Sequence, residues 1–211
     1  EFSTAFSSNP VNRIAMNAVT SAGLLAASKN PMAQRESRHS YSISLEQGEI
    51  TNQKQSGRCW MFAALNTFRF EVIKNLNLKT FELSQNYTLF YDKLEKSNYF
   101  LESILETLDE PTQGRLISFL LSAPLGDGGQ WDMLCNLVRK YGVVPKEAMP
   151  ETVSSSATRE MTAALTRKLR EDACRLRKAY ADGSTLDELR AKKESMMEEI
   201  YRVLCICLGE P

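Results

Sequence analysis

Hydrophobic positions follow two patterns along this chain. From Cys59 to Lys74 they are nearly consecutive, with Trp60 to Leu65 unbroken, which predicts a helix buried on most sides. From Ser154 to Lys178 they are spaced among charges and predict one long amphipathic helix. Between these, `FELSQNYTLFYDKLEKSNYFLESILETL` reads as an aromatic-rich helix and `TQGRLISFLLSAP` as a short one stopped near Pro124. `LGDGGQWDMLCNLVRKYGVVP` reads as a glycine-rich turn, then a helix from about Gln130 that Gly142 and Pro145 stop. Asp182-Gly183 break the charged helix, and Thr185 with Glu188 form a capping box for a last helix reaching about Leu208. Upstream, `MNAVTSAGLLAASKN` predicts a short helix that Pro31 ends. Tyr41 to Leu45 alternates like a short strand, and Gln47 to Gly57 is a polar, glycine-containing loop. The pattern suggests an N-terminal extension (1–45), a helical lobe (46–150) and a helical insertion or hairpin (151–211). So few strands appear that any sheet this fold needs is expected outside the chain.

Composition narrows the function. The 211 residues carry 26 Lys plus Arg and 26 Asp plus Glu, so nothing supports a nucleic-acid partner. No apolar run is long enough to span a membrane. The opening `EFSTAFSSNPVNR` lacks the basic start and apolar core of a secretory signal, and it lacks an initiator Met, so the true N-terminus is expected to be either missing or processed. Five cysteines (59, 135, 174, 205 and 207), odd in number and irregularly spaced, are no disulfide framework and suggest a reducing, cytoplasmic location. Asn86-Tyr87-Thr88 fits a glycosylation sequon that we expect to be unused. Cys205 and Cys207, two apart on a helix, do not share a face and read as small packing groups. With a single histidine present, no metal or other cofactor is expected. The absence of a C-x-x-C pair argues against a thioredoxin-like redox role.

The candidate chemistry lies in `NQKQSGRCWMFAALNTF`. Cys59 falls in the first turn of its helix, where free backbone N–H groups and the helix field favour an anion; the thiolate is the nucleophilic form. Arg58 adds adjacent positive charge, Gly57 permits a tight turn, and Trp60 can wall the site. Gln53 offers an amide donor which, with a backbone N–H at the nucleophile, could stabilise an oxyanion. The plainer alternative is a buried apolar Cys59 and a solvated Gln53.

Gln53 followed six residues later by Cys59-Trp60 resembles the papain-like cysteine peptidases. More closely, `TNQKQSGRCWMFAALNTFR`, `DGGQWDM`, `KYGVVPK` and `CICLGEP` are similar to the bleomycin hydrolase and bacterial aminopeptidase C family, from about residue 45 to the end and more weakly before it. The resemblance implies an α+β papain-like fold, of which this chain is the mostly helical N-terminal half with a helical insertion. It implies Cys59 as nucleophile, Gln53 as oxyanion-hole amide, and Gly128 and Gly129 as the pair that hydrogen-bonds a peptide's backbone beside the S2 subsite. Two glycines also suit a plain turn before the following helix, and both readings stand here. Secreted relatives usually carry another Cys where Ser56 stands; its absence matches the intracellular branch. The family's catalytic His and Asn come later, so they are expected outside this chain, on a continuation or a second chain. His39, the only histidine, precedes Cys59 and is expected to be non-catalytic. The implied protein is a cysteine aminopeptidase acting on peptides and on bleomycin-like or thiolactone substrates, assembled as a homo-hexamer, with the isolated fragment inactive. The alternative is a non-catalytic oligomeric scaffold or interaction protein.

Overall fold

The computed structural model describes residues 1–36, 40–45 and 48–211. His39 therefore lies outside the described residues. The chain divides into two units, Glu1–Leu45 and Glu46–Pro211.

The first unit holds α1 (Phe2–Ser8), α2 (Pro10–Ala22), α3 (Leu24–Ala27) and α4 (Pro31–Glu36). Asn9 caps α2, its side chain accepting from Val11 N at 3.0 Å. Gly23, at φ 81°, separates α2 from α3. Pro31 opens a helix as well as closing the preceding segment, the position where its missing N–H costs least. No residue of α1, α2 or α3 is buried. Tyr41 to Leu45 is not a strand, although its alternation predicted one. No described segment pairs with it, and a strand needs a partner for its backbone groups.

The second unit contains α5 (Cys59–Leu76), α6 (Gln85–Glu106), α7 (Arg115–Ser122), α8 (Trp131–Tyr141), α9 (Val153–Ser156), α10 (Arg159–Ala181) and α11 (Leu186–Leu208). Its centre is the packing of α6 against the α10–α11 pair. Met161, Leu165, Leu169, Ala173 and Leu176 form a buried stripe on α10, met by Leu189, Met196, Ile200, Leu204 and Leu208 of α11. Phe90, Leu101 and Ile104 of α6 complete it, and Met61 ties in α5. Cys205 and Cys207 pack at the margin of this core. The Thr185–Glu188 capping box forms in both directions, at 2.7 and 3.3 Å. Asn86 is fully buried and donates to Pro150 O and Leu208 O, at 2.8 and 2.7 Å, so its sequon has no accessible nitrogen.

Two features depart from the pattern. The charged segment is split into α9 and α10, because Gln55 inserts its backbone between them: its N–H donates to Ser156 O at 2.9 Å and its carbonyl accepts from Thr158 N at 3.3 Å. Helix α5 is less enclosed than expected. Met61, Phe62, Ala64, Leu65 and Arg69 are buried, while Phe68, Phe70, Val72 and Ile73 are only half-buried and Leu76 is exposed. The only β-pairing among the described residues is two isolated bridges, Gln55 with Ala157 and Leu83 with Pro145.

Candidate active site

Cys59 is the first residue of the 18-residue helix α5. Met61 N and Phe62 N already turn back to Arg58 O, at 2.9 and 3.0 Å. The thiol is free and exposed, while the next apolar residues turn into the core. This is the solvent-facing member of the two readings left open by the sequence.

Arg58 does not act beside that thiol. Its side chain is fully buried, its guanidinium pairs with both oxygens of Glu151 at 2.8 and 2.7 Å, and its Nε donates to Ser56 Oγ at 2.8 Å. Its charge is neutralised inside the protein, holding the Cys59 end of α5 against the segment before α9. Sequence adjacency suggested the opposite; the partner lies 93 residues away.

The loop leading to Cys59 is pinned along its length. Arg69 Nη2 donates to Glu49 O at 2.6 Å, Thr51 and Asn66 exchange side-chain hydrogen bonds, and Asn52 Oδ1 accepts from Lys54 N at 2.8 Å. Lys54 takes a left-handed conformation at φ 55° in this turn. Ser56 Oγ donates to Gln53 O at 2.6 Å. Gln53 is half-buried, and its side-chain oxygen is buried without a hydrogen-bond partner among the described residues.

The glycine-rich loop meets this segment directly. Gly57 N donates to Asp127 Oδ2 at 3.0 Å, and a Cβ on Gly57 would come within 2.8 Å of Asp127 Cβ, so the approach requires glycine. Trp60 Nε1 donates to Asp127 O at 2.9 Å, and its ring lies flush on Gly129, where a Cβ would come within 2.5 Å of ring atoms. Gly128 is exposed with open space beside it. Trp60, the residue after Cys59, is thus in contact with Gly129, and Gly128 is its neighbour in the loop. A separate cleft of about 720 Å³, lined by Ser56, Gly57, Asp127, Thr158, Arg159 and Arg167 among others, opens at this junction without including Cys59 or Gln53.

Beneath the loop lies a buried charge cluster that the sequence did not reveal. Lys93, fully buried, donates to Gly126 O at 2.9 Å and to Asp127 Oδ1 at 2.5 Å. Lys96 donates to Asp92 Oδ2 at 2.8 Å, Gly126 O at 3.0 Å and Gly128 O at 2.7 Å. Burial drives the Asp127 carboxyl upward, but the hydrogen bonds from Lys93, Thr158 and Gly57 prevail and hold it at about 2. Burial lowers Lys93 against the pull of Asp127, and pushes Asp92 up to about 6 against the pull of Lys96. The available signal was weak: charged residues within an aromatic-rich helix, at α6 positions three and four apart.

The all-helical core, the exposed thiol opening α5 and the glycine loop seated on the following tryptophan suit the helical portion of a papain-like fold. The whole chain, residues 1–211, matches the Peptidase C1-like family, and it belongs to that family. It is 48% identical over 210 residues to aminopeptidase C of Listeria monocytogenes, covering 100% of this chain and 47% of the relative. It is 45% identical over 208 residues to human bleomycin hydrolase, covering 97% and 46%. The crystal structure of pepw from Lactobacillus rhamnosis HN001 superposes with a TM-score of 0.94 at 48% identity, covering 100% of this chain and 47% of that one. The chain spans about half the length of the curated relatives it matches. No described helix is long and apolar enough to cross a membrane.

Proposed function

We propose that this chain is the nucleophile-bearing half of a cysteine aminopeptidase that hydrolyses N-terminal amide bonds of peptides and of bleomycin-like or thiolactone compounds. The observation that carries the reading is an exposed, free thiol at the first residue of α5, beside the Trp60–Gly129 wall, in a chain of the Peptidase C1-like family. The Cys59 thiol gives its proton to an imidazole from outside this chain, and the sulfur attacks the scissile carbonyl carbon, forming a C–S bond as the carbonyl π bond opens to an oxyanion. The Gln53 amide and the Cys59 backbone N–H donate to that oxyanion. Collapse breaks the C–N bond, and an imidazolium from outside this chain, oriented by an Asn, protonates the departing amine. Water then hydrolyses the thioester, releasing the acid and restoring the thiol. An extended substrate lies along Gly128 and Gly129, with Trp60 as the wall behind them.

The five free thiols support a cytoplasmic setting, and the homo-hexamer is carried over from the family resemblance alone. The test is turnover of an aminoacyl fluorogenic amide by the full-length protein. Cys59→Ala abolishes it, and Gln53→Ala lowers kcat by about 10²-fold, the scale of losing one oxyanion donor. The 211-residue chain alone is inactive. Retained turnover in Cys59→Ala overturns Cys59 as the nucleophile, and no turnover by the full-length parent returns the chain to the class of scaffolds.

A further inference from the structure

Three consecutive carbonyls of the glycine loop are held from below by side chains. Gly126 O accepts from Lys93 and Lys96, Asp127 O from the Trp60 indole, and Gly128 O from Lys96. Lys96 is the hub. Its ammonium has three N–H groups, and its three acceptors are Asp92 Oδ2, Gly126 O and Gly128 O. Its nitrogen also sits 5.5 Å from the Trp60 ring centroid. Asp92, one turn earlier on α6 and 1% exposed, fixes the lysine from the opposite side. The adjacent Lys93 reaches Asp127, which in turn accepts from Gly57 N, two residues before Cys59.

We infer that Lys96 is a positioning residue for the substrate wall: its three-way clamp turns the loop carbonyls inward, fixes the Gly128–Gly129 backbone beside Trp60, and leaves the exposed side of the loop for the peptide. The inference rests on reading Gly128 and Gly129 as the wall of a peptidase. Lys96 does not touch Cys59 in this arrangement, so its contribution falls on substrate placement and leaves the intrinsic reactivity of the thiol intact.

The test uses the full-length protein with an aminoacyl fluorogenic amide, together with alkylation of Cys59 by iodoacetamide, a small reagent that does not need the wall. Lys96→Met removes all three donors. The expected result is a KM raised about tenfold, the scale of one lost charge-assisted hydrogen bond, with kcat and the Cys59 alkylation rate within about threefold of the parent. Should Lys96→Met fail to fold, Lys96→Gln carries the same expectation, since a neutral amide cannot supply three convergent donors. Unchanged KM in the folded variant overturns the inference. So does a parallel loss of kcat, substrate binding and alkylation, which marks a general structural role. Absence of turnover in the full-length parent overturns the peptidase reading underneath, and is distinguished because it needs no change at Lys96.

Discussion

At the scale of single residues, two neighbouring glycines make different demands. A Cβ on Gly128 meets no atom within 4 Å, whereas one on Gly129 reaches the Trp60 ring at 2.5 Å, and that ring is fixed by its bond to Asp127 O. Gly129→Ala should therefore cost about 1–3 kcal/mol and change tryptophan emission, while Gly128→Ala leaves the thermal midpoint close to the parent's. Equal tolerance of both, measured by melting and fluorescence, would contradict the packing described here. Cys59 itself was legible, because a cysteine opening an apolar helix after a polar glycine loop is a local pattern. The orientation of Arg58 was not. Its buried pairing depends on Glu151, and nothing in a linear string says that residues 58 and 151 meet.

Among the elements, buried polar groups couple helices and loops that periodicity treats separately. Glu151→Ala leaves a fully buried guanidinium without its carboxylate and should destabilise by about 3 kcal/mol, seen as a lower Tm with the Cys59 loop loosened. Helix α6 adds a pH signature. Asp92 is raised to about 6, so between about pH 4 and 6 the folded state holds a proton that the unfolded state has released. That term favours folding as pH falls through 6 and is complete below about 4. Asp127 has the opposite sign: held near 2, it contributes above its ordinary value of 3.8 and loses that contribution toward pH 2. Comparing Tm of Asp92→Asn with the parent isolates the first term. The variant's relative stability should fall on going from pH 7 to pH 4; a constant or widening advantage would contradict the assignment. Helices α5, α6, α7, α8 and α11 were legible because spacing and caps are local properties. The α9–α10 break and the Asp92–Lys93–Lys96 cluster were not, because the first is imposed by Gln55 and the second by the glycine loop, both distant in sequence.

For the molecule as a whole, half-length coverage of its relatives and a thiol on an open surface belong to one picture. The second unit supplies a helical platform, and the loops before α5 and α8 are braced against each other through Gly57, Trp60 and Asp127. In the proposed function this platform offers a nucleophile and a substrate wall, and the proton-transfer partner comes from elsewhere in the complete protein. The central claim is that Cys59 forms the covalent bond to the substrate's acyl carbon. It is tested most directly by treating the active full-length protein with a stoichiometric aminoacyl halomethyl ketone, mapping the adduct by mass spectrometry and following residual turnover. One adduct, on Cys59, appearing in step with the loss of activity is the predicted result. An adduct on another cysteine, such as the exposed Cys174, or full turnover once Cys59 is modified, would contradict it.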